Sequence, residues 1–162
     1  MTIYCIINSN NQITTLFGGP QSPPTPAGYT EMADNDPRWA AYQLAQAQTS
    51  QITALTTSYQ NAIAYPVSYT SVGGVAKTYQ ADSGSAANLQ AAIAGCSAAQ
   101  ATPTGFYWVA SDNTQVPFAF ADLQGLASAM FAQGAVAFQH LQTLKAEVTA
   151  ATTSAGIAAI VW

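Results

Sequence analysis

His140 and seven carboxylates are the side chains that could carry acid–base chemistry in this 162-residue chain. A lone imidazole between Gln139 and Leu141, with no second histidine, lacks the partner that a triad or a metal site demands. Gly-x-Ser-x-Gly, phosphate-loop and dinucleotide signatures are absent. A glycosidase would need two carboxylates facing one another across a groove. Nothing in the sequence singles out such a pair, because each aspartate has a local explanation. Asp34, Asp36, Asp82 and Asp122 precede or open helical patterns, and Asp112 sits in a turn. The reading is a non-enzyme with no catalytic residue, no cofactor and no metal. The remaining chemistry is aromatic. Eight Tyr, six Phe and three Trp could grip sugars or proteins, or fill a core.

Composition narrows the field. Only 6% of residues are charged, against about 25% in ordinary domains. There are 33 Ala, 18 Thr and 15 Gln, so hydroxyls and amides must confer solubility. Three basic residues cannot neutralise a phosphate backbone or anchor to an anionic membrane, which excludes nucleic acid as a partner. The first residues carry no basic segment of the kind that opens a signal peptide. Cys5 and Cys96 match no metal or redox spacing. They read as small buried hydrophobes in a reducing compartment, with a single disulfide as the alternative. Residues 123–144 are uncharged and long enough to span a bilayer. Four glutamines and His140 interrupt them, so they read as a helix outside the membrane.

The elements that must position these side chains are legible from periodicity. Ile3 to Ile7 and Ile13 to Phe17 are strand-like, joined by Asn8-Ser9-Asn10-Asn11. A proline-rich stretch with Pro20, Pro23, Pro24 and Pro26 should run extended over the surface, and Tyr29 to Met32 return as a third strand. A hairpin or three-stranded meander is expected. Asp34-Asn35-Asp36-Pro37 announces a helix over 37–64, ending before Pro66. Ala45, Ile52 and Tyr59 recur every seven residues, with Leu55 and Ala62 offset by three, like a short heptad seam. No charge falls between Trp39 and Ala76, which favours a covered helix.

Beyond Tyr65 the period becomes two. Val67, Tyr69 and Ser71 lead to a two-residue Gly73-Gly74 turn, and Val75, Lys77 and Tyr79 return. Asp82 and its neighbours cap a helix expected over 85–100. Phe106 to Val109 and Val116 to Phe120 form a second hairpin about Ser111-Asp112-Asn113. Leu123, Leu126, Met130, Ala137, Leu141, Leu144 and Val148 then share a face of a last helix. Gly156 is expected to end the helical region, before a docked apolar tail, 157–162. The fold class is therefore α+β: an N-terminal β unit (1–35), a connecting helix (36–64), and a hairpin–helix–hairpin–helix domain (65–162) whose hairpins share a sheet.

Those residues also carry a likeness. The Val67-Ser68-Tyr69 hairpin with Gly73-Gly74 and Lys77-Thr78-Tyr79-Gln80-Ala81-Asp82 resembles a domain near the ends of bacteriophage tail-fibre and tail-fibre-assembly proteins. Phe106-Tyr107-Trp108, Asp112-Asn113, Phe120-Ala121-Asp122-Leu123, Leu144 to Ala151 and Ile157 to Trp162 continue it. The segment from Ile3 to Tyr42 looks like the β-rich leader of small phage tail proteins. The resemblance implies a virion-tail protein made in the host cytoplasm, binding other tail proteins and self-associating, a trimer being the family expectation. It implies no catalytic residue.

The expected function is that of a non-enzymatic tail protein, associated with fibre or baseplate. A tail-fibre assembly chaperone and a carbohydrate-binding tip module are the alternatives. Ile52, Leu55, Tyr59 and Ile63 are the candidate interface. Tyr69, Tyr79, Tyr107 and Trp108 are the candidate contacts to a host surface glycan.

Overall fold

The computed structural model describes every residue except Pro24, so that member of the proline-rich stretch lies outside the described residues. The fold is mixed α and β, with seven strands and four helices among the described residues. The chain forms two compact units: Met1–Ala54 with Leu144–Val161, and Leu55–Thr143 with Trp162. The helix expected over 37–64 is present as α1, Pro37–Ala64, and its residues are divided between both units.

In the first unit, β1 (Thr2–Ile7), β2 (Ile13–Phe17) and β3 (Tyr29–Ala33) make an antiparallel sheet ordered β2-β1-β3. This corrects the meander, because β3 pairs with β1 and not with β2. The 11 residues from Gly18 to Gly28 are long enough to carry the chain past β1. Gly28 completes the return at φ +79, its carbonyl accepting from the Ile7 N–H at 2.9 Å. A bulge leaves Thr14 unpaired, so Ile13 and Leu16, three apart in sequence, both lie on the face of Cys5. Ile3, Cys5, Ile13 and Met32 are buried there, with Ile7, Trp39 and Tyr42 packed against them. Asp36 caps α1 through the Arg38 N–H at 2.9 Å, as the sequence predicts.

The second unit holds β4 (Val67–Thr70), β5 (Ala76–Tyr79), α2 (Ser83–Cys96), β6 (Tyr107–Val109), β7 (Gln115–Pro117) and the first part of α3 (Phe120–Ala150). The hairpins do not share a sheet, which corrects the single layer expected. Strands of three residues, one ending in a proline without an N–H, cannot extend a ladder. One backbone bond, from the Ser111 N–H to the Thr78 carbonyl at 2.9 Å, links them instead. Their rigidity comes from one apolar cluster, where Tyr79, Leu89, Val116, Phe118, Leu123 and Leu126 are buried.

All three hairpins use one turn. Asn11, Gly74 and Asn113 take left-handed φ values of +62, +81 and +64 at the third loop position. Each donates its N–H three residues back, to Asn8, Ser71 and Ala110, while the next residue closes the loop. Three-residue loops with a left-handed third position explain why Asn or Gly stands there. The middle loop is thus Val72-Gly73-Gly74 and not the two-residue turn expected. Helix α2 also starts two residues earlier and ends four earlier than expected, with Asp82 as its cap and the Ser97 hydroxyl bonding the Ala94 carbonyl at 2.8 Å. Gly156 does not end the helical region. It lies within α4 (Ser154–Ala158), where the Thr153 hydroxyl oxygen caps its N–H at 3.0 Å.

Candidate interaction surface

Helix α3 exposes more apolar surface than a solvated helix needs. Phe131 is 77% exposed, Val136 69% and Phe138 51%. Phe131 and Phe138 are seven residues apart and share a face. Val136 points elsewhere, beside His140 and Trp162. Phe138 meets Tyr59 of α1 edge-on at 6.3 Å. A groove of about 520 Å³ lies between the end of α1, the start of α2 and α3, lined by Tyr59, Ile63, Leu89, Met130 and Phe131. Gln133 of α3 ties down the end of α1 by donating to the Ala62 and Tyr65 carbonyls at 3.0 and 2.8 Å. The one carboxylate at the groove, Asp82, is committed to capping. The Ser85 hydroxyl and the Ser85 and Gly84 N–H groups hold its carboxyl below the usual range. What this surface can do chemically is exclude water from an apolar contact.

Of the interface candidates, Leu55 is 2% exposed and therefore belongs to the interior of the chain, which removes it from any docking role. Ile52, Tyr59 and Ile63 are half-buried, and the last two line the groove. The glycan candidates divide similarly. Tyr79 is wholly buried, and Tyr69 and Trp108 pack against the same cluster. Trp108 stacks on Phe118 at 6.5 Å. Burial, then the Asp122 charge, pushes both tyrosine hydroxyls up from their ordinary range. Only Tyr107 among the four is exposed, at 46%. Period-two alternation marks one face of a strand and cannot say which face is wet. The tail expected at 157–162 is docked in part. Ile157 is buried, Gln51 donates to the Ile160 carbonyl, and Trp162 meets His140 edge-on at 4.8 Å, while Val161 is exposed.

Two residues of consequence escaped the sequence reading. Asp122 does more than open a helix: 1% exposed, it accepts from the Val72 N–H at 2.6 Å, the Ala119 N–H at 2.8 Å and the Tyr69 hydroxyl at 3.2 Å. It pins the β4–β5 hairpin to α3 while closing the reciprocal half of a capping box. Gly125 lies one turn on, and a Cβ there would overlap the Tyr69 ring. Its signal was a glycine inside an apolar helical pattern, which costs stability unless something packs against it. Cys5 and Cys96 are free thiols, Cys5 buried. Among the described residues no group of three His, Cys, Asp or Glu could hold a metal, and no helix is long and apolar enough to cross a membrane.

Residues 39–161 match the family model described as Domain of unknown function (DUF4376). The chain belongs to that family. Its DUF4376 region opens two residues into α1, so the β2-β1-β3 sheet precedes it. The groove and the Asp122 anchor fall inside it. Comparison with curated proteins and with solved structures gave no match.

Proposed function

We propose that this DUF4376 protein is a non-enzymatic structural component of a bacteriophage tail, fibre- or baseplate-associated, that acts through protein–protein contacts. The observation that carries the reading is the exposed Phe131–Phe138 face of α3, in a stretch without charge from Leu123 to Leu144. Large apolar side chains left in water beside a groove are the signature of a surface that another chain covers. The tail setting is supported by the resemblance of the hairpin and C-terminal segments to tail-fibre proteins. The test is twofold. Mass spectrometry of purified phage particles should find the chain, and light scattering should show an assembly that Phe131→Asp with Phe138→Asp dissociates. A chain absent from particles and monomeric in solution overturns the reading.

A further inference from the structure

A second cleft, within the first unit, has a different chemistry. It encloses about 450 Å³, in the range of small-molecule sites. Its polar lining includes Asn11, Gln12, Arg38, Tyr42 and Gln46, with Asn8 and Thr14 already bonded within the fold, and Ala41 and Ala45 are among its apolar residues. We propose that this cleft binds a neutral saccharide.

Charge sets the first constraint. Arg38 is the one ionic side chain lining the cleft, and Asp36 takes its guanidinium in a fork, Nε to Oδ1 at 2.9 Å and Nη2 to Oδ2 at 2.6 Å. A paired guanidinium offers an anion no net positive charge. Its remaining arm, Nη1, donates to Asn11 Oδ1 at 3.2 Å and so orients that amide. The turn fixes Asn11 as well, at φ +62. The amide is held before any ligand arrives, which lowers the ordering cost of binding.

Hydrogen-bonding capacity sets the second. Asn11 Nδ2, Gln12 Nε2, the Gln46 amide and the Tyr42 hydroxyl make no hydrogen bond among the described residues. The Gln46 amide donates and accepts side by side, as does a pair of vicinal hydroxyls, while Asn11 and Gln12, whose oxygens already accept from Arg38 and Asn8, offer donors. The alanine methyls suit the C–H face of a pyranose, while Tyr42, its ring stacked on Trp39 at 5.7 Å, contributes its hydroxyl. A peptide strand would ask for a free backbone ladder. What converges here is side-chain amides.

This proposal is independent of the tail reading, since it concerns the first unit and the tail test concerns α3. The probes are glucose, galactose, mannose and N-acetylglucosamine, titrated to about 50 mM against the intact isotope-labelled chain by NMR, together with an array of neutral glycans. The concentration suits the millimolar affinities of shallow sites. Saturable shifts at Asn11, Gln12, Tyr42 and Gln46, or array binding, weakened about tenfold by Gln46→Ala and by Tyr42→Phe, are expected. Gln46 is exposed on a helix, so its alanine variant keeps the fold. No saturable shift with any sugar and no array binding would overturn the proposal. So would binding that both variants leave unchanged, or tighter binding of a phosphorylated sugar than of its neutral parent.

Discussion

The first hairpin and the β4–β5 hairpin share a turn geometry and differ in what holds them. β1 and β2 gain a third strand, and one face of that sheet closes over Ile3, Cys5, Ile13 and Met32. Among the described residues β4 and β5 stand as a two-stranded sheet. They are held by a buried carboxylate that receives one backbone donor from their loop and one hydroxyl from Tyr69. An isolated two-stranded hairpin is marginal in water. The chain therefore answers one problem twice, by extending a ladder and by burying a satisfied charge. The two answers fail differently. A ladder loses stability residue by residue, whereas removing one acceptor orphans several donors together.

The sharpest way to break the comparison is Asp122→Ala. Two N–H groups and one hydroxyl would lose their acceptor, and the second unit should lose about 3–5 kcal/mol, read by urea unfolding. Asp122→Asn keeps the shape and one acceptor, and should cost less. If the alanine variant is within about 0.5 kcal/mol of the parent, the anchor is dispensable. Next in size is Gly125→Ala, which drives a methyl into the Tyr69 ring and should cost about 1–3 kcal/mol. In a Tyr69→Ala background the same glycine substitution should cost less, because the clash disappears.

The shared turn allows a finer test. Gly74→Ala should destabilise the β4–β5 hairpin by about 1 kcal/mol, since φ +81 opposes a Cβ, while Asn113→Gly should change thermal stability little. The smallest effect belongs to the first unit. The Arg38 guanidinium and N–H hold the Asp36 carboxyl down to about 2. A depressed folded value means the contribution is complete above the unfolded range, near pH 4, and is lost as pH falls towards 2. A carbon-detected titration of Asp36 should show that midpoint, and Arg38→Ala should move it upward.

The sequence predicts α1 to the residue because each end carries its own signal: Asp36-Pro37 at the start and Pro66 beyond the end. It predicts the strands of the first two hairpins, since Asn and Gly at left-handed positions are local requirements. In the third it carries the returning strand over 116–120, where β7 stops at Pro117 and Phe120 already opens α3. It misses the β2-β1-β3 order, because either neighbour of β1 satisfies the same alternation. That the two later hairpins stay in separate sheets is equally invisible, because it depends on strands too short to pair further. The candidate surface divides along the same line. Tyr59 could be named from heptad spacing, but the same spacing named Leu55, which is buried. Phe131 and Phe138 were passed over because they fall off the apolar stripe, which is why they are exposed.

What the sequence alone determined is everything set within a few residues: caps, turn chirality, helix spans, the scarcity of charge. Tertiary structure decided which face of each element meets water, which strand lies beside which, and that Asp122 serves a loop 50 residues away. The division has a physical cause. Backbone preferences are local energies, readable one position at a time. Burial is a property of surfaces that meet only after the chain has folded.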